Sequence, residues 1–218
     1  LTIREDICTG CSLCMRVCPT EALRIRDGKA RLIEDRCVDC GECFRNCPVH
    51  AIIIEQDDFS RIFDYKYRVA LVPAVLHGQF RHEVSMSEIS AVLKSLGFTW
   101  VYEVEHGAEI LKPAIDDLMD MRTLPRPLIS SYCPAIVRLI QVRFPALIRN
   151  IATVKAPLEM AAFYCRRVLR DGGAHNAEIG VFYVTPCAAK IAAVKSPVGE
   201  ESTPISGVIN MDFIYNKI

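Results

Sequence analysis

The feature that most constrains this chain is a cysteine pattern stated twice. Cys8-Thr-Gly-Cys11-Ser-Leu-Cys14-Met-Arg-Val-Cys18-Pro19 is answered by Cys37-Val-Asp-Cys40-Gly-Glu-Cys43-Phe-Arg-Asn-Cys47-Pro48. Each half then runs into a short apolar segment, Ala22-Leu23-Arg24-Ile25 and Ala51-Ile52-Ile53-Ile54, that reads as a strand. Self-similarity of this kind marks a repeated supersecondary unit. So short a segment encloses little core, and whatever the sulfurs bind must supply much of its stability. Three further cysteines, Cys133, Cys165 and Cys187, bring the total to 11. An odd total and a tandem spacing fit metal ligation in a reducing compartment better than a disulfide framework.

The spacing also narrows the metal. Zinc sites usually pair two-cysteine knuckles across a long gap, whereas here three cysteines recur at every third position. In a C-x2-C-x2-C-x3-C-P run, three cysteines on a tight loop hold one iron–sulfur cubane and the fourth reaches the other. The expected sets are Cys8, Cys11, Cys14 and Cys47 on one [4Fe–4S] cluster, and Cys37, Cys40, Cys43 and Cys18 on the second. Two such clusters make a relay for single electrons, and this segment by itself implies no substrate pocket.

After a connector at residues 58–67 the pattern changes to alternating strands and helices. Strands are expected at Arg68–Leu76, Phe98–Val104, Pro127–Ser131 and Ile179–Thr185. Ser85-Met-Ser-Glu88 is a capping box that opens a helix ending near Gly97. Further helices are expected over about 107–121, over Pro134–Phe144 with proline at its first position, and over 157–171. On the last of these, Leu158, Ala161, Ala162, Cys165, Val168 and Leu169 form one apolar stripe, so Cys165 reads as core. The expected organisation is an α+β ferredoxin-like 2[4Fe–4S] domain at 1–57, then an α/β domain at 68–218 whose mostly parallel sheet is flanked by helices. Functional groups in such sheets gather past the carboxyl ends of strands, where Cys133 and Cys187 are expected.

Lys+Arg and Asp+Glu both number 26, so charge gives no reason to expect nucleic acid or a membrane surface. Apolar runs fall short of the roughly 18 residues that span a bilayer. A cytoplasmic, anaerobic setting follows as the expectation. The opening at Leu1 suggests a trimmed chain. His50, His77, His82, His106 and His175 lack metal-ligand spacing and read as ordinary surface or core residues.

Ser130-Ser131-Tyr132-Cys133-Pro134-Ala135-Ile136 and Thr185-Pro186-Cys187-Ala188-Ala189-Lys190 resemble the [FeFe]-hydrogenase large-subunit family. That family carries a TSCCPxW motif and an MPCxxKxxE motif, each after a strand, with a bacterial-type ferredoxin module ahead of them. The resemblance implies that Cys133 and Cys187 are two of the four ligands of a third cubane, part of a di-iron hydrogenase-type cluster. It implies that Lys190 contacts a cyanide ligand of the di-iron part.

Departures from the family pattern shift the expected role. Tyr132 stands where the family has a proton-carrying cysteine, and Ala152 where its proton path has a serine. Leu111-Lys112-Pro113-Ala114 replaces paired acidic residues, Ile136 the tryptophan, and Ala193 the closing glutamate. The third family motif would lie beyond Ile218. The resemblance therefore implies an electron-transfer protein of the sensory or regulatory branch, with no catalytic residue assigned within this chain. Its partners would be a redox protein such as ferredoxin or a downstream sensor or signalling domain. A ferredoxin-dependent hydrogenase in complete form, and a non-enzymatic iron–sulfur carrier or assembly factor, are the alternatives.

Overall fold

The computed structural model describes residues 1–80, 84–121, 123–196 and 203–218. His82 lies outside the described residues. In chain order the elements are β1 (Thr2–Ile3), α1 (Leu13–Val17), β2 (Leu23–Arg26), β3 (Lys29–Leu32), α2 (Glu42–Arg45), β4 (Ile52–Ile53), β5 (Tyr67–Val72), α3 (Ala74–His77), α4 (Met86–Ser95), β6 (Trp100–Glu103) and α5 (His106–Asp120). They continue as α6 (Pro134–Arg143), α7 (Pro157–Asp171), β7 (Ile179–Thr185), α8 (Ala188–Lys195), β8 (Gly207–Asn210) and α9 (Met211–Tyr215). The chain forms two compact units that interleave along the sequence. The first comprises Leu1–Glu55, Leu124–Ala152 and Cys187–Ala193; the second takes Gln56–Thr123, Thr153–Pro186 and Val194–Ile218.

In the first unit the internal repeat becomes a pair of matched halves. Each cysteine loop turns through a left-handed residue, Ser12 or Gly41, into a one-turn helix, α1 or α2. β1 pairs with β4 and β2 with β3, both antiparallel. The core is small: Cys14, Leu23, Ala30, Cys43 and Ile52 are its buried residues. This is the 4Fe-4S dicluster architecture expected from the spacing, with two of its five core residues being cysteines.

The strand expected over Pro127–Ser131 does not form. Ile129 makes a single parallel bridge to Ile151. Its N–H donates to the Asn150 carbonyl at 2.7 Å, and its carbonyl accepts from the Ala152 N–H at 2.8 Å. Pro127 offers no N–H, and the Asn150 side chain donates to its carbonyl at 2.8 Å instead. The partner is equally short, because residues Pro145–Asn150 coil into a 3-10 turn.

The second unit is built on a four-stranded sheet in the order β6-β5-β7-β8, parallel throughout. Every residue of β7 is buried, as a central parallel strand covered on both faces requires. The period of two sends Ala70, Val72, Phe182 and Val184 into a core with Ile89 and Leu93 of α4, Met211 and Ile214 of α9, and Ile62. α7 packs against β5, β6 and β7, with Leu158, Ala161, Ala162 and Cys165 buried. Farther along the expected stripe, Val168 is exposed.

The segment read as a connector is ordered. Residues Phe59–Asp64 form a 3-10 turn that buries Ile62 completely, a contribution of about 1.5–3 kcal/mol. Phe59 packs edge-on to Phe98 and face-to-tilted on Phe213. The strand expected to reach Leu76 ends at Val72, before Pro73, and residues 74–77 turn into α3. The fourth sheet strand is β8, which the periodicity did not reveal. Its edge is closed by Gln56 and Asp57. The Val208 N–H donates to the Asp57 carboxylate at 2.9 Å, and the Asn210 N–H donates to Gln56 Oε1 at 2.8 Å.

Candidate metal centres

The first unit brings its eight N-terminal cysteines together around two hollows, four to each. Cys8, Cys11, Cys14 and Cys47 line the first, with Ile25 and Ile52 among its apolar walls; about 330 Å³ of space, mouth included, lies between them. Cys18, Cys37, Cys40 and Cys43 line the second, of about 310 Å³, with Leu23 and Leu32 in its wall. The fourth cysteine of each run thus reaches the hollow of the opposite run. This exchange follows from the chain path, because α1 and α2 carry Cys18 and Cys47 away from their own loops.

Backbone amides point at the sulfurs. The Ala22 N–H donates to Cys18 Sγ and the Ala51 N–H to Cys47 Sγ, both at 3.2 Å. The Ala30 N–H donates to Cys8 Sγ and the Asp39 N–H to Cys37 Sγ, both at 3.4 Å. Burial pushes the thiols of Cys14 and Cys40 up, that of Cys37 to about 11 and that of Cys43 to about 12. The thiolates that metal ligation needs are therefore costly here unless a cationic centre sits among them. Among the described residues no three His, Cys, Asp or Glu side chains converge on one metal ion. Four sulfurs spaced round a hollow with mainly apolar walls, each set supplied with amide donors, suit a polynuclear cluster held at its corners. The residues fit [4Fe–4S] groups.

The second set of candidates lies on the later segments of the same unit. Cys133 is exposed and caps α6, its carbonyl accepting from the Val137 N–H at 3.1 Å. It follows the single Ile129–Ile151 bridge, and so does not stand at the end of a sheet strand as expected. Cys187 does: it follows β7, is half-buried, and its carbonyl accepts from the Ile191 N–H at 3.0 Å at the start of α8. Lys190 lies one turn along that helix. Tyr132, beside Cys133, has its phenol pushed up by burial. Cys165 is fully buried on α7, its thiol pushed up to about 12 by that burial, in keeping with a core role.

One feature of the site was not foreseen. Arg138, on α6, forms an ion pair at 3.0 Å with Asp39, inside the second cysteine loop. The available signal was a break in the repeat, since Asp39 stands where the first half has Gly10.

Residues 66–212 match the model of the iron only hydrogenase large subunit, C-terminal domain, and residues 7–51 match that of the 4Fe-4S dicluster domain. The NADP-reducing hydrogenase subunit HndD of Solidesulfovibrio fructosivorans is 23% identical over an alignment of 200 residues that covers 87% of this chain and 31% of that protein. Two variants of the [FeFe]-hydrogenase HydA1 from Chlamydomonas reinhardtii superpose with TM-scores of 0.56 and 0.57 at 18% identity, over 68% of this chain and 41% of theirs. The chain spans about a third of the length of the curated relative. The family-model match over more than half of the chain places it: this chain belongs to the iron only hydrogenase large-subunit family, with a 4Fe-4S dicluster domain ahead of the hydrogenase-like domain.

Proposed function

We propose that this iron–sulfur electron-transfer protein relays single electrons between a redox partner and a hydrogenase-like site that serves sensing or regulation. Cys8, Cys11, Cys14 and Cys47 hold one [4Fe–4S] cluster, and Cys18, Cys37, Cys40 and Cys43 hold the other. The single observation that carries this reading is the assembly of four cysteines, three from one loop and one from the other, around each hollow. When bound, each cluster supplies a one-electron store whose potential depends on hydrogen bonds to sulfur and on solvent access. The chain's own residues govern both. The amides of Ala22, Ala51, Ala30 and Asp39 offset charge on the sulfurs, and the walls formed by Ile25, Ile52, Leu23 and Leu32 keep water out.

In this reading Cys133 and Cys187 are two ligands of a further cluster, and Lys190 approaches its di-iron part. The role of the site follows from Tyr132. A phenol is a weak proton carrier near neutrality, and burial raises this one further from that range. Ala152 offers no exchangeable proton. A site with slow proton delivery suits reporting a redox or gas signal better than rapid turnover. The redox partner would be a ferredoxin or a signalling domain, in an anaerobic cytoplasm.

Iron and acid-labile sulfide, measured on anaerobically purified protein beside EPR of the dithionite-reduced sample, test the reading. About eight irons with two interacting cubane signals support the relay, and about twelve or more support a further cluster on Cys133 and Cys187. Zinc in place of iron would overturn it.

A further inference from the structure

The two hollows match in sulfur count and differ in the charged groups beside their cysteines. Position 10 and position 39 are equivalent in the repeat, and both take left-handed backbone, φ 68° at Gly10 and 52° at Asp39. At Gly10 a side chain is excluded, because a Cβ would lie 2.3 Å from the Gly28 carbonyl oxygen. A residue other than glycine at such a φ costs strain, although aspartate tolerates it better than most. The carboxylate at 39 is therefore held there by something. Its Oδ2 accepts from Arg138 Nη1 at 3.0 Å, with the Asp39 side chain only 17% exposed. The Cys37 thiol donates to Asp39 Oδ1 at 3.6 Å, while the Asp39 N–H donates to the same sulfur at 3.4 Å. The thiol's bond ends when Cys37 ligates a cluster as thiolate, which leaves the carboxylate facing an anionic sulfur. Around the first hollow, Cys8 Sγ accepts from the Ala30 N–H, and the Cys8 carbonyl accepts from Lys29 Nζ at 2.7 Å.

We infer that Arg138, acting through Asp39 as a positioning residue, sets the reduction potential of the cluster on Cys18, Cys37, Cys40 and Cys43 independently of the other cluster. This rests on the cluster reading above. One-electron reduction adds negative charge to the cluster, which a bare carboxylate beside the Cys37 sulfur opposes. The Arg138 guanidinium offsets that carboxylate and keeps it aimed. Because Arg138 rides on α6, the helix that Cys133 caps, the compensation depends on that helix staying docked on the loop.

The test is an EPR-monitored redox titration, at pH 8, of the cluster-loaded chain and of Arg138→Gln, Asp39→Asn, the double variant and Arg138→Lys. Asparagine accepts the left-handed backbone, so Asp39→Asn changes charge with little change of conformation. Arg138→Gln should lower the potential of one cluster, and Asp39→Asn should raise it. Each shift is on the order of a tenfold change in the reduction equilibrium, about 59 mV for one electron. The double variant should return near the starting value and Arg138→Lys should largely preserve it. Repeated in a Cys18→Ala/Cys37→Ala background, which retains only the other cluster, the shifts should vanish. Shifts of the same sign in both single variants, equal movement of both clusters, or no movement would overturn the inference. Absence of any cubane signal in the parent protein would instead overturn the cluster reading.

Discussion

Gly41 lies directly against Ala188: a Cβ at Gly41 would sit 3.0 Å from the Ala188 Cβ. The contact joins the second cysteine loop to the first residue of α8, immediately after Cys187. Gly41 also has φ 81°, which only glycine adopts without cost. Gly41→Ala should therefore destabilise the cluster-loaded protein by about 1–2 kcal/mol through the backbone alone, with crowding added. Guanidinium unfolding of the two forms under anaerobic conditions measures this. An unchanged midpoint would show that the loop does not need this residue.

Cys165 supplies a pH dependence. Its folded thiol stands at about 12 against an ordinary value of 9.0, raised by burial. The unfolded thiol ionises first, so this group's stabilisation is complete below pH 9 and is lost as pH rises from 9 toward 12. Stability should fall across that window by about 1.4 kcal/mol per pH unit more than in Cys165→Ala. Parallel slopes for the two proteins would contradict this assignment.

The capping box on α4 acts at the other end of the scale. Ser85 Oγ accepts from the Glu88 N–H at 3.3 Å, and the Glu88 carboxylate accepts from the Ser85 N–H at 2.7 Å. The Ser85 N–H and the Ser85 hydroxyl, which donates to the same carboxylate at 2.8 Å, hold the Glu88 carboxyl below its ordinary 4.5. The stabilisation is present above 4.5 and lost as pH falls through the lower folded value. Ser85→Ala should cost about 1 kcal/mol near neutrality. The deficit should narrow below pH 4, where protonation of Glu88 has already weakened the box in the parent protein. A deficit that widened there would count against it.

Local signals were the legible ones. Ser85-x-x-Glu88 predicted the start of α4, and the residue patterns at 157–171 and 179–185 predicted α7 and β7 with the bounds they have, because propensity, capping and burial agree there. Pro127–Ser131 has a strand's composition but makes a single bridge, since strand formation depends on a partner and its partner coils into a 3-10 turn. β8 was hidden for the complementary reason. Gly207-Val-Ile-Asn210 is too short to show a period, and its place is set by β7 and by the side chains of Gln56 and Asp57. At the site, the cysteine spacing carried the grouping of eight sulfurs. The Arg138–Asp39 pair spans 99 positions and could not be read from spacing.

The fourth cysteine of each run lines the opposite run's hollow, and paired variants test most directly whether it ligates there. Cys18→Ala/Cys37→Ala removes two residues from one hollow and should leave about four irons and one isolated cubane signal in the dicluster domain. Cys8→Ala/Cys18→Ala removes one residue from each and should strip both clusters. The contradicting result is the reverse: loss of both clusters in the first variant and survival of one in the second would mean that each run of four cysteines holds its own cluster.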